Sequence, residues 1–220
     1  MAKVTITFDN GPEPQITHNV LDVLARHDIK TSFYVIGHKL ENEEGRTAAL
    51  RAKSEGHWIG NHSYSHSVSL GASDDPHIYD IEVTKSQEII GDLSHPDRLF
   101  RPFCNAGIID HRVFKRDHIS RLAEDGYTCV MFNAVTGDWA DREGWVARGI
   151  AEIESRPWTT LVLHDIAGWP DGTQTGSMER LDEFISLVRD SGHEIVQELD
   201  PDCIPMRCGE LIKSMDDLVN

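Results

Sequence analysis

No stretch of this chain approaches the ~18 consecutive apolar residues that a membrane-spanning helix requires, and positive charge is scarce. Lys and Arg number 21 against 37 Asp and Glu, a formal net charge of −16. Nucleic acid and anionic membrane surfaces both demand a basic face, so neither is expected as a partner. The four cysteines, Cys104, Cys129, Cys203 and Cys208, contain no Cys-x-x-Cys pair. They are expected as reduced thiols in packing roles, with a Cys203–Cys208 bridge as the alternative. Met1-Ala2-Lys3 enters the first strand at once, without the basic segment and apolar run of a secretory leader. The expectation is a cytoplasmic protein, and nothing in the sequence fixes its oligomeric state.

Internal repeats, low-complexity tracts and linkers are also lacking. What is present is a regular alternation of strand-like and helix-like segments over 220 residues. Strands are expected at 3–8, 31–36, 57–61, 98–103, 127–133, 159–164 and 194–198 from apolar and β-branched runs. Helices are expected at 15–27, 42–55, 74–93, 112–124, 143–155 and 178–191. Gly56, Gly126 and Gly192 serve as stop signals, and Asp74-Asp75-Pro76 as a start. Repeated strand–helix units imply parallel strands joined by crossovers. The expected fold is α/β, a closed or nearly closed barrel of about seven parallel strands over residues 1–200. A tail over 201–220 is expected to pack on it, with one short helix at Glu210–Leu218.

In such folds chemistry collects at the C-terminal ends of the strands. Asp9-Asn10 ends the first strand, inside Thr7-Phe-Asp-Asn-Gly-Pro12. The third leads into Asn61-His62-Ser63-Tyr64-Ser65-His66, later ones into Arg101-Pro102-Phe103, Gly137-Asp138-Trp139 and Leu163-His164-Asp165. On a helical turn, the spacing of four would put His62 and His66 on one face, able to share a cation. Plainer readings exist for each residue. The histidines could lie in a solvated loop, Asp9-Asn10 could cap the next helix, and Trp139 could be ordinary core.

Taken in order, TFDNGP, HSYSH, RPF, GDW and LVLHD resemble the five motifs of the NodB-type polysaccharide deacetylases, carbohydrate esterase family 4. The flanking stretches TSFYVIG and EGHWIGNHSYSH resemble the family too, and the likeness spans residues 3 to about 198. The resemblance implies a distorted (β/α) barrel and metal-assisted removal of acetyl groups, N-acetyl above all, from an amino-sugar oligosaccharide or polysaccharide. It implies Asp9 as general base, Arg101 as the group orienting it, His164 as general acid and Asp138 as the carboxylate behind that acid. His62, His66 and Asn10 fall at metal-ligand positions, for a divalent ion such as zinc. Leu163 and Trp139 would wall the acetyl pocket, Phe103 and Cys104 would face substrate, and the Cys104 N–H would meet the oxyanion. Trp169 is a candidate for stacking on a sugar ring.

Two motifs depart from the family pattern, the third reading Arg101-Pro102-Phe103-Cys104 where Arg-Pro-Pro-Tyr is usual. Cys104 stands where the third motif usually has tyrosine, and Asn10 where the first has a metal-binding aspartate. A unit charge pair at ~4 Å is worth about 4 kcal/mol at an effective dielectric of ~20. The neutral amide of Asn10 therefore implies weaker metal retention and a more electrophilic ion. Two other readings stand beside the deacetylase. One is a same-fold hydrolase of another amide, such as a cyclic ureide; the other is an inactive relative that only binds carbohydrate.

Overall fold

The computed structural model describes residues 1–104, 107–168 and 176–220. Strands β1 (Lys3–Asp9), β2 (Ser32–Val35), β3 (Trp58–Asn61), β4 (Leu99–Phe100), β5 (Thr128–Cys129), β6 (Ala134–Val135) and β7 (Trp158–His164) pair in parallel, in the spatial order β5-β4-β3-β2-β1-β7-β6. These seven parallel strands form the distorted barrel expected from the sequence. Among the described residues the curled sheet stays open between β5 and β6. The expected strand over 127–133 is cut short there because the chain must cross the opening. Val130 N–H still donates to Phe100 O at 2.8 Å, whereas Asn133 N–H donates to Thr160 O on the far side at 3.2 Å.

Helices α1 (Pro14–Arg26), α2 (Glu43–Ser54), α3 (Lys85–Ile90), α4 (Arg116–Glu124), α5 (Trp145–Glu154) and α6 (Leu181–Asp190) cover the sheet. The alternation of β1 sorts its residues. Val4, Ile6 and Phe8 enter the main apolar cluster with α1, α5 and α6, through Leu21, Leu24, Trp145, Phe184 and Val188. Thr5, Thr7 and Asp9 face the barrel interior and are buried as well. The two threonines of β1 find partners there: Thr5 Oγ1 donates to Glu198 O and Thr7 Oγ1 to Leu161 O, at 2.6 and 2.9 Å. The last expected strand survives as β8 (Glu194–Ile195), paired with the start of β1.

Beyond residue 200 the chain returns to the sheet. Strand β9 (Met206–Arg207) pairs antiparallel with β5 and with β10 (Glu210–Leu211). The helix expected at Glu210–Leu218 is therefore a hairpin followed by a 3-10 turn at Asp216–Leu218. Cys208 and Gly209 lie at φ 47° and 83°, the doubly left-handed turn that hairpins favour. All four cysteines are free thiols, so no Cys203–Cys208 bridge forms.

Candidate active site

Strand register decides which side chains meet. Asp9 on β1 is paired with His164 on β7 and with Tyr34 on β2, and all three face inward at the C-terminal end of the sheet. Arg101, just after β4, is fully buried beneath them. Its Nη1 donates to Asp9 Oδ1 and to Thr7 Oγ1, each at 2.7 Å. Nε and Nη2 donate to the Val130 and Met131 carbonyls at 3.2 and 3.3 Å, and the guanidinium lies 3.9 Å over the Tyr34 ring. A fork held at this many points can fix the orientation of a carboxylate.

Across the cavity, His164 Nδ1 lies 3.0 Å from Asp138 Oδ1, and the His164 backbone N–H donates to Asp138 Oδ2 at the same distance. Burial works against the imidazolium. The charge and hydrogen bond of Asp138, helped by Asp9, outweigh it and lift the His164 pKa above its usual value. Trp139 meets the His164 ring edge-on at 5.1 Å.

The two histidines ahead of β4 are built differently. His62 and His66 stand 4.8 Å apart, centroid to centroid, but not on a helical turn. Ser63 and His66 adopt left-handed backbone, φ 68° and 54°, so the chain loops between them. His62 Nδ1 is 2.8 Å from the Arg101 carbonyl, which needs a proton there and leaves Nε2 with its lone pair. Burial lowers the pKa of both histidines, and His66, beside His62 and His164, falls to about 2. Both imidazoles are thus neutral at ordinary pH. Asn10, at φ 70°, buries a side-chain oxygen that has no hydrogen-bond partner.

These residues surround a cavity of about 640 Å³ lined by Asp9, Asn10, His62, His66, Phe103, Cys104, Trp139 and His164. Among the described residues no cluster of three or more His, Cys, Asp and Glu is placed to hold a metal. Asp9 Oδ2 stays 3.6 Å from His62 Nε2. The buried amide oxygen of Asn10, which has no hydrogen-bond partner, is a candidate third donor beside the imidazoles.

Comparison with known proteins decides the family. A sequence model described as polysaccharide deacetylase matches residues 2–130, more than half of the chain. The chain belongs to the polysaccharide deacetylase family. It is 26% identical over 196 residues to a Bacillus cereus peptidoglycan-N-acetylglucosamine deacetylase, covering 89% of this chain and 66% of that one. A chitooligosaccharide deacetylase of Bradyrhizobium is 30% identical over 178 residues, covering 78% of this chain and 73% of the relative. The chain thus spans about two-thirds of the first relative's length, and only 37% of a Listeria monocytogenes peptidoglycan deacetylase. Among solved structures, a family 4 acetyl xylan esterase from Clostridium thermocellum with a cobalt ion superposes with a TM-score of 0.70. It is 25% identical, with 89% of this chain and 87% of that chain covered.

Within this polysaccharide deacetylase fold one sequence expectation is corrected. Leu163 does not wall the cavity. It pairs in register with Phe8 and packs in the core beneath the helices. Successive residues of a strand face opposite sides, so Val162, with Ile166 beyond the strand, takes the place at the cavity. Phe103 and Cys104 do line it, and Phe103 packs edge-on against His66 at 4.4 Å. Burial pushes the Cys104 thiol up to about 12, so it supplies no thiolate. Trp169 lies outside the described residues.

Two buried carboxylates outside the motif assignments hold the loops of the site. Asp165 accepts the Thr17 hydroxyl at 2.5 Å and packs where a Cβ on Gly11 would stand. With Glu13, which accepts the Ala167 N–H, it ties the turn after β1 to the loop after β7. That tie holds the two loops at the strand ends that carry Asp9 and His164. The second is Glu82, beneath the histidine loop.

Proposed function

We propose that this protein is a metal-dependent deacetylase of N-acetylated amino-sugar saccharides. The observation that carries the reading is the pairing of two oriented proton carriers, Asp9 on Arg101 and His164 on Asp138, across one cavity beside two neutral imidazoles. Asn10, His62 and His66 would hold a divalent ion, zinc by the donor set, which would polarise the acetamide carbonyl and make water more acidic.

The chain's own residues do the rest. Asp9, aimed by Arg101, takes a proton as water oxygen bonds to the carbonyl carbon. The backbone N–H of Cys104 is the candidate donor to the developing oxyanion. His164, held as imidazolium by Asp138, gives its proton to the sugar nitrogen as the C–N bond breaks. Acetate and a free amine leave. Val162, Trp139 and Ile166 offer the apolar wall that an acetyl methyl requires.

Support for the substrate class comes from the relatives, named for deacetylating peptidoglycan N-acetylglucosamine and chitooligosaccharides. Support for the metal comes from the cobalt in the acetyl xylan esterase and the unpaired Asn10 oxygen. The test is acetate release from N-acetylated chitooligosaccharides and peptidoglycan fragments, with the protein stripped of metal and reloaded. Release that depends on added metal supports the reading. No acetate from any of them in the loaded protein overturns it and favours the other amides or a binding role.

A further inference from the structure

The loop between His62 and His66 needs outside help to keep its shape. Left-handed backbone at Ser63 and His66 costs roughly 1–2 kcal/mol for each non-glycine residue. It persists only where the surroundings over-determine it. Part of that help comes from the segment after β2. Gly37 N–H donates to Ser63 O at 2.9 Å and His38 N–H to Tyr64 O at 3.0 Å, while the Ser86 hydroxyl adds a bond to Ser63 O at 3.1 Å.

The loop's own donors turn the other way, onto Glu82. The Tyr64 and Ser65 N–H groups donate to its Oε2 at 3.1 and 2.9 Å, and the Ser65 hydroxyl to Oε1 at 2.6 Å. Glu82 is buried and does not line the cavity. It projects from a helical turn widened to π over Asp80–Thr84, where Lys85 N–H reaches back five residues to Asp80 O. Such turns are rare and recur at functional sites. Burying a carboxylate is costly unless its lone pairs are taken. Here the histidine loop takes them, between its two left-handed residues.

We propose that Glu82 is the positioning residue of the histidine loop. By pinning the backbone of Tyr64 and Ser65 it sets the separation and aim of the His62 and His66 rings, and with them the affinity for metal. The inference rests on the reading of those histidines as metal ligands. Glu82 itself lies outside the cavity lining.

Two variants of opposite kind separate positioning from charge. Glu82→Asp keeps the charge but ends one methylene short of the loop. Glu82→Gln keeps the reach and an oxygen that still accepts both N–H groups. Tyr79→Phe, which deletes the 2.8 Å bond to Asp125 from the neighbouring helical segment, controls for loss of stability alone. Calorimetric titration with Co²⁺ is expected to show Glu82→Asp weakened roughly 10-fold or more, with Glu82→Gln and Tyr79→Phe near the wild type. Wild-type affinity in Glu82→Asp, or an equal loss in Tyr79→Phe, overturns the proposal. Hydrogen exchange at the Tyr64 and Ser65 amides gives a metal-free readout. Protection there is expected to fall in Glu82→Asp while β1 amides stay protected. If the wild type takes up no Co²⁺, the metal reading falls by itself, and unchanged exchange in Glu82→Asp overturns the role of Glu82 separately.

Discussion

The proposed proton-transfer half of the site, Asp9 and His164, and the proposed ligand half, Asn10, His62 and His66, are built to different standards. Around Asp9 and His164 the main polar contacts are made within the chain. Arg101 spends its donors on Asp9, Thr7, Val130 and Met131, and Asp138 accepts twice from His164. Around His62 and His66 the chain strains its backbone and leaves the buried Asn10 oxygen without a partner. The contrast teaches that the two carboxylates of one half have their charges and hydrogen bonds answered within the chain, whereas the proposed ligand half combines a strained loop with an unpartnered amide oxygen. Buried polar atoms without partners are rare in folded proteins, and each calls for an explanation.

Breaking the proposed proton-transfer half has the largest expected effect. Arg101→Ala leaves the Asp9 carboxylate buried without its counter-ion, and losing one partner of a buried pair costs roughly 3–5 kcal/mol. Chemical denaturation is expected to show that loss together with loss of turnover. A stability within about 0.5 kcal/mol of the wild type would mean that Asp9 is not held by charge.

Asp138→Asn is expected to act on rate more than on stability. It removes the charge that keeps His164 protonated against burial, so the His164 pKa falls and its acid form is lost at a lower pH. The alkaline limb of the rate profile should move toward acid, with kcat down roughly 10²-fold or more. A uniform loss at every pH, with the limb unmoved, would make Asp138 a packing residue only.

The smallest effect is expected at the seam between the halves. Burial raises the Asp165 pKa to about 7. A carboxyl whose folded pKa lies above its unfolded value near 3.8 stabilises the fold fully below about pH 4. That contribution is lost as pH rises through 7. Asp165→Asn can keep the Thr17 bond without the charge, so unfolding midpoints measured from pH 5 to 9 should decline less steeply than in the wild type. Parallel profiles would show that Asp165 does not titrate there.

Much of this was legible in the sequence, though unevenly. Arg101 and Asp9 are 92 positions apart, so only the order of the motifs, not local spacing, could join them. The spacing of His62 and His66 suggested a helix, because a left-handed loop of Ser and His residues has no simple pattern. Leu163 and Val162 are both apolar in a strand buried on both faces, so periodicity could not say which meets the cavity. Glu82 carried no signal at all, since a glutamate on a helix reads as a solvent-facing residue. The tail hairpin did carry one, in Cys208-Gly209, but the short flanking strands hid it.

Asn10 is central to the proposed reading, as a neutral donor whose buried side-chain oxygen has no partner within the chain. Titration of the wild type and of Asn10→Asp with Co²⁺ tests this most directly. Uptake by both, at least 10-fold tighter in Asn10→Asp, is the expected result, because adding one negative charge beside the proposed cation strengthens its site. Equal affinity in the two proteins would contradict it, and Asn10 would then be no ligand.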